Sequence, residues 1–167
     1  HTAAFLRLLP FTLTGAQRRA IAECVGDMGR PSPMSRLVQG DVGSGKTAVA
    51  AGVAYTVVKN GWQAAMMAPT EILAEQHARS LSGLLEPGGV RVGLLTGSMP
   101  AAEKREVLQR LADGEIDFLV GTHALLSEGV NFPRLGLVIT DEQHRFGVGQ
   151  RAGLAAKGVN PHLLVMS

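Results

Sequence analysis

Six short apolar runs alternate along the chain with stretches of helical periodicity. Between the runs, Ala, Leu, Glu and Arg recur at spacings typical of amphipathic helices. Strands that are apolar throughout and separated by helices are typical of a parallel sheet covered on both faces, so the alternation predicts an α/β fold. The predicted strands are residues 36–39, 63–68, 90–95, 118–121, 135–140 and 163–166, and the predicted helices are residues 47–59, 71–85, 101–112 and a shorter stretch over 150–157.

Length and composition favour one folded domain. The 167 residues are 46% apolar and 18% charged, which excludes a disordered segment. We interpret residues 35–167 as the sheet core and residues 1–34 as a leading segment with a helix over 14–25 and a Gly-, Pro- and Ser-rich loop. The chain opens on His1 and stops at Ser167 directly after an apolar run, so we expect it to be part of a longer protein.

Charge and cysteine content narrow the possible partners. A net charge of +2 is compatible with a polyanionic partner but does not require one. Cys24 is the single cysteine, and the five histidines do not lie near it at metal-ligand spacing, so we expect neither an internal disulfide nor structural zinc. The longest uncharged stretch, residues 47–58, is too short to cross a bilayer, and no signal peptide opens the chain. We therefore expect a cytoplasmic location and no membrane partner.

A glycine-rich loop follows the first predicted strand and opens the next helix. Residues 40–47 read GDVGSGKT and match the pattern G-x-x-x-x-G-K-[ST] in the context that this pattern requires. Such a loop points its backbone N–H groups at phosphate oxygens, with the helix dipole adding positive potential. We predict that it binds ATP, that Lys46 neutralises the β- and γ-phosphates, and that the Thr47 hydroxyl binds Mg²⁺. The alternative is an ordinary strand-to-helix turn. The predicted nucleotide contacts are Gly40, Val42, Gly43, Ser44, Gly45, Lys46 and Thr47.

An acidic pair ends the fifth predicted strand. Asp141 and Glu142 would lie at the carboxyl end of a parallel sheet, where a nucleotide needs a metal ion and an attacking water. We predict that Asp141 holds Mg²⁺ through water and that Glu142 orients or deprotonates the attacking water. By itself such a pair is more often part of a solvated loop, but the phosphate loop favours the catalytic interpretation.

Gln17 opens the leading helix and allows two interpretations. With Thr14 as N-cap, Gln17 occupies the third helical position of a capping box. Alternatively, its side-chain amide carries a donor and an acceptor that match the edge of adenine. One glutamine can do both only in different rotamers.

Together with three further motifs, these features give the chain a resemblance to the first RecA-like domain of superfamily 2 helicases. The motifs are APTEILAEQH at 68–77, VGTHAL at 120–125 and DEQHRFGVGQR at 141–151. The combination resembles the RecG family of branched-DNA helicases over about residues 11–167. Transcription-repair coupling translocases share this layout, but usually have an aromatic residue in place of Ser44 and DEEH in place of DEQH, so Ser44 and Gln143 favour RecG.

The resemblance implies further roles for individual residues. Matching positions in the family contact the DNA backbone or couple DNA to hydrolysis, although a threonine at a helix start can equally be a cap. We interpret His77 and His162 as surface or sheet-edge residues and Trp62 as a packing residue. The DNA-tracking positions are Thr70, Thr96, Gly97, Thr122 and His123, and the coupling positions are His144, Arg145, Phe146 and Arg151, where Phe146 could instead belong to the core.

The resemblance also implies partners for this piece of chain. In the family, a second RecA-like domain contributes arginines to hydrolysis, an N-terminal domain binds the junction, and branched DNA is the substrate. The alternative function is a nucleotide-dependent module that grips DNA without turnover.

Lys46→Ala is expected to weaken the binding of Mg²⁺-ATP and ADP without unfolding the protein, because the lysine supplies charge to the phosphates and no core packing. Calorimetry on folded samples of both proteins measures this difference. Equal affinities would show that residues 40–47 are not a phosphate loop.

Overall fold

The computed structural model describes residues 2–8, 14–29, 35–38, 46–141, 153–154, 156–158 and 161–166. Five helices, six strands and two short 3₁₀ turns, Glu86–Gly88 and His123–Leu126, lie within these residues. The helices are α1 (Thr2–Leu8), α2 (Gly15–Met28), α3 (Lys46–Lys59), α4 (Glu71–Leu85) and α5 (Ala101–Ala112), and the strands are β1 (Ser35–Val38), β2 (Gln63–Met67), β3 (Val92–Leu95), β4 (Phe118–Gly121), β5 (Leu135–Asp141) and β6 (His162–Met166).

All six strands belong to one sheet in the order β1-β6-β5-β2-β4-β3, and every neighbouring pair is parallel. A parallel arrangement follows from the sequence because a helix or a long connection separates consecutive strands, so each strand starts again from the same edge. The prediction of an α/β fold with a mostly parallel sheet and helices on both faces is confirmed.

The sheet separates two apolar clusters. Along β2, Ala64 and Met66 pack on one face with the buried residues of α1, α2, α3 and α4. Ala65 and Met67 pack on the other face with Leu111 of α5 and with the segments that flank β4 and β5. Successive side chains of a strand point to opposite faces, so a strand buried on both sides reads as a continuous apolar run. This explains why the short runs are the clearest signal in the sequence.

Most predicted bounds agree with the structure, and the larger differences concern β3 and the leading helix. β4, α4 and α5 have the predicted limits, whereas β3 begins two residues later than predicted, at Val92. The leading helix, α2, continues to Met28 instead of ending at residue 25. Of the helix predicted over 150–157, only residues 153–154 are described as helical.

Helix α1 was not predicted. It has seven residues and carries no acidic residue in its first turn. Its Phe5 is fully buried, and the Phe5 ring centroid lies 5.8 Å from that of Tyr55 in α3. A helix this short is marginal in water, so tertiary packing stabilises it rather than local propensity. No helix of the residues in the ranges given above is both long and apolar enough to cross a membrane.

Gly121→Ala is expected to destabilise the protein by about 1–3 kcal/mol, because a methyl group there has no space. A Cβ on Gly121 would collide with the Leu95 carbonyl oxygen of the neighbouring strand and lie 2.8 Å from Leu125 Cδ2. Chemical denaturation measures the loss. The matched control is Gly129→Ala, where a Cβ meets nothing within 4 Å. Equal stability of the two variants would contradict the close packing of β3 and β4.

Candidate nucleotide and DNA site

The parallel sheet brings the ends of β1 and β5 to one edge. Val38, the last residue of β1, and Asp141, the last residue of β5, are both in register with Met166 of the strand between them. Neighbouring strands lie about 4.8 Å apart, so the Cα atoms of Val38 and Asp141 are roughly 10 Å apart. Lys46, which follows the glycine-rich motif in the sequence, begins α3. We predict that a phosphate bound by this motif lies close to Asp141.

Asp141 is buried and hydrogen-bonded. Along β5 its side chain follows Leu137 and Ile139, which pack on the face covered by α3 and α4. His77 Nε2 of α4 lies 2.9 Å from Asp141 Oδ2. We interpreted His77 as a surface or sheet-edge residue; it does lie at the carboxyl edge of the sheet, but only 15% of its side chain is exposed. A signal was present, because Ala74, His77 and Leu81 share helical spacing and the first and last of these are fully buried.

The chemistry of this edge suits magnesium. Mg²⁺ prefers oxygen ligands and is usually bound by one or two carboxylates together with substrate phosphates and water. Asp141 offers a carboxylate, and Thr47, in the first turn of α3, offers a hydroxyl. Among the residues in the described ranges there is no group of three or more His, Cys, Asp or Glu side chains that could hold a metal by itself. The residues therefore fit a metal ion that arrives with a nucleotide.

The predicted DNA residues follow the other three strands of the same edge. Thr70 follows β2, Thr96 and Gly97 follow β3, and Thr122 and His123 follow β4. Because β2, β4 and β3 are neighbours, these residues form a row beside the end of β5. After the predicted roles of the residues there, we call the ends of β1, β6 and β5 the nucleotide half of the edge and the ends of β2, β4 and β3 its DNA half.

Burial divides the predicted DNA residues into two groups. Thr70, Gly97 and His123 are exposed, so a DNA backbone could reach them. Thr96 and Thr122 are buried, with 2% and 8% of their surface exposed. Thr70 Oγ1 accepts a hydrogen bond from the Leu73 amide at 3.2 Å, so Thr70 does act as the cap of α4. Thr122 Oγ1 likewise accepts from the Ala124 amide at 3.4 Å.

Glu71 joins two loops of the DNA half. Its carboxylate accepts hydrogen bonds from the Ser98 amide at 2.9 Å and from the Ser98 hydroxyl at 2.6 Å. Lys104 Nζ donates to the Gly97 carbonyl at 2.6 Å. The Ser98 hydroxyl and amide lower the pKa of Glu71, and Lys104 adds to this effect. A lowered carboxyl pKa means that the stabilisation is present at neutral pH and is lost as the pH falls through that pKa.

Gln17 occupies the capping-box rotamer. The Thr14 amide donates to Gln17 Oε1 at 2.8 Å, and the Gln17 amide donates to Thr14 Oγ1 at 3.1 Å. The capping interpretation is therefore realised in this structure, and adenine recognition would require another rotamer.

Several predicted site residues lie outside the described residues. For the phosphate loop these are Gly40, Val42, Gly43, Ser44 and Gly45, and after Asp141 they are Glu142, His144, Arg145, Phe146 and Arg151.

A cavity of about 470 Å³ opens at the opposite edge of the sheet. It lies between the C-terminal ends of α2 and α3 and the beginnings of β5 and β6. His162 lines it at the start of an interior strand, and burial lowers the pKa of His162. Trp62 also lines it but remains 43% exposed, and Arg134 Cζ lies 4.8 Å from the centre of its ring. Because Asp141 ends β5 at the other edge of the sheet, this cavity is separate from Asp141.

Comparison with known proteins agrees with the fold and with the motifs. The DEAD/DEAH box helicase model matches residues 14–163, and this chain belongs to that family.

Proteins similar to this chain include RecG helicases. "ATP-dependent DNA helicase RecG" of Bacillus subtilis is 57% identical over 98% of this chain, and the protein of that name from Streptococcus pneumoniae is 56% identical over 95%. The chain covers 24% and 23% of these two relatives. A solved structure of RecG bound to a three-way DNA junction superimposes with a TM-score of 0.85 at 47% identity, over 98% of this chain and 22% of that one. The resemblance to RecG is confirmed, and the chain spans about a quarter of the length of these relatives.

Gln17→Ala is expected to cost about 0.5–1.5 kcal/mol of stability, because it removes one hydrogen bond of the capping box. If Gln17 also recognises adenine, the preference for ATP over GTP narrows in the same variant. Thermal unfolding and competitive nucleotide binding measure the two effects. Thr14→Ala is the matched control, since it removes the cap but no predicted base contact. An unchanged ATP preference in Gln17→Ala would leave only the capping role.

Proposed function

We propose that this chain is the ATP-binding half of an ATP-dependent DNA helicase that resembles RecG and remodels branched DNA in repair and recombination. The observation that carries the proposal is the carboxyl edge of the sheet, where the nucleotide half lies beside the DNA half. The names of the relatives, and the three-way junction in the solved RecG structure, support DNA as the substrate. We expect the protein to act in the cytoplasm.

In this proposal the nucleotide is held from two sides. The phosphate loop and Lys46 bind the phosphates, while Thr47 would hold Mg²⁺ by its hydroxyl and Asp141 would hold it through water; the ion would neutralise charge on the β- and γ-phosphate oxygens. Burial of Asp141 and its contact with His77 would limit the rotation of the carboxylate. Glu142 orients or deprotonates the attacking water.

The DNA half contacts the backbone and not the bases. Thr70, Gly97 and His123 present hydroxyl, loop backbone and imidazole groups at one exposed row, and such groups bind phosphates without reading sequence. A motor that moves along DNA requires contacts of this kind. Residues His144, Arg145, Phe146 and Arg151 directly follow the acidic pair, and we expect them to couple DNA contact to hydrolysis.

The remaining parts of the motor lie on partner domains. Hydrolysis needs more positive charge at the γ-phosphate than Lys46 and Mg²⁺ supply, and in RecG-like proteins a second RecA-like domain contributes arginines. Unwinding also needs two domains that open and close on ATP. We therefore propose that the second domain and an N-terminal junction-binding domain complete the activity.

These 167 residues alone are expected to bind nucleotide but to hydrolyse it slowly or undetectably, with little stimulation by DNA and no unwinding. The reason is that arginine fingers contribute about 10³- to 10⁵-fold to the rate. A phosphate-release assay, with and without branched DNA, compares this chain with the full-length protein. Glu142→Gln in both is the control for contaminating ATPases.

Two outcomes would contradict the proposal in different ways. Robust DNA-stimulated turnover by the short chain that Glu142→Gln abolishes would show that the chain is a complete motor. A full-length protein that binds branched DNA but shows no ATP hydrolysis would support the DNA-gripping module instead.

A further inference from the structure

Helix α4 spans the two halves of the carboxyl edge. It begins directly after Thr70 in the DNA half, and His77 on the same helix contacts Asp141 in the nucleotide half. The seven-residue separation between Thr70 and His77 corresponds to two helical turns and a rise of roughly 10 Å. One rigid element therefore touches the predicted DNA contacts at one point and the predicted magnesium ligand at another.

We propose that His77 is a positioning residue that fixes the Asp141 carboxylate to helix α4 and so ties its orientation to the DNA half of the site. The proposal rests on the function proposed above, because it assumes that Asp141 holds the metal and that the Thr70 region contacts DNA. It adds a residue in the APTEILAEQH motif to those that control the nucleotide site.

The chemistry of the contact supports a positioning role. An ionised carboxylate can only accept hydrogen bonds, so at 2.9 Å His77 Nε2 carries the proton and donates it to Oδ2. Both side chains are largely buried, with 15% of the His77 side chain and 4% of the Asp141 side chain exposed. A buried bond to a charged acceptor is directional and strong, so it limits the rotation of the carboxylate. Partners of metal-ligating side chains characteristically act in this way.

Hydrogen bonds connect the N-terminal end of α4 to the loop that follows β3. Thr70 caps the helix, and Glu71 in its first turn binds both the amide and the hydroxyl of Ser98. Lys104 holds the neighbouring Gly97 carbonyl at 2.6 Å. A displacement of residues 96–98 on DNA binding would therefore act on the first turn of α4. Leu81 and Leu85 are buried in the core and hold the C-terminal part of α4 in place. A movement of the first turns of α4 would therefore also displace His77.

The test compares His77→Leu with His77→Gln in the full-length protein. Leucine fills similar space without a donor, whereas the glutamine amide nitrogen can replace Nε2 as donor to Asp141. Ser80→Ala, an exposed position on the same helix, is the matched control. Three quantities are measured: ATP hydrolysis with and without branched DNA, affinity for that DNA, and the Mg²⁺ concentration needed for tight binding of fluorescent ADP.

The expected result is a loss of stimulation without a loss of DNA binding. In His77→Leu the DNA-stimulated rate falls about 10- to 100-fold and the Mg²⁺ requirement for ADP binding rises, as is typical when a ligand loses its supporting hydrogen bond. The ratio of the DNA-stimulated to the DNA-free rate of hydrolysis falls towards one. The affinity for DNA stays within about twofold of that of the unmodified protein, because His77 contacts Asp141 and not the DNA row. His77→Gln retains most of the DNA stimulation and a nearly normal Mg²⁺ requirement for ADP binding, and Ser80→Ala changes neither quantity.

Failure of this inference can be distinguished from failure of the proposed function. If the unmodified protein shows no DNA-stimulated hydrolysis, the proposed function is wrong. If it does, and His77→Leu keeps the same stimulation ratio and Mg²⁺ requirement, the link through His77 is wrong. An equal loss of rate with and without DNA, or a His77→Gln variant as impaired as His77→Leu, would also overturn it.

Discussion

The parallel register of the six strands is the constraint on which the rest of the structure depends. Since every strand runs in the same direction, every connection that follows a strand leaves from one edge. Residues that are far apart in sequence, such as Thr70, Thr122 and Asp141, are brought to this edge by the parallel pairing of the strands that precede them. The order of the strands then decides which chemistry lies beside which, and it places the strand that ends in Asp141 next to the strand that leads to Thr70.

Sequence patterns predicted the elements whose residues carry local signals. The bounds of α4 and α5 were predicted because both helices have clear periodicity, with Thr70 and Pro100 at their starts. Helix α1 was missed because its stability depends on Phe5 packing against α3, which no local pattern describes. The contact of His77 with Asp141 was missed for the same reason, because it joins residues that are 64 positions apart in the sequence. This histidine was assigned to the surface or the sheet edge, although its spacing from the buried Ala74 and Leu81 indicates a side chain that faces the core.

The predicted site roles differ in how far the geometry supports them. Asp141 and the start of α3 lie where a metal and phosphates would be needed, and Thr70, Gly97 and His123 form an exposed row. Thr96 and Thr122 are buried beneath that row, which suits support of the loops better than direct contact by their side chains. The sequence motifs placed these five residues in one group because a motif shows only the order of residues along the chain. Burial depends on which side of each loop faces the sheet, and a motif does not show this.

The strand order also has a consequence for biosynthesis. Within the described part of the sheet, β1 is hydrogen-bonded to β6, so residues 35–38 pair with residues 163–166. A chain that emerges from the ribosome amino terminus first therefore exposes β1 long before its neighbour has been made. Val38, at the end of β1, cannot take its place two strands away from Asp141 until β6 inserts between them. Assembly of this part of the carboxyl edge thus has to wait until residues 162–166 have been synthesised.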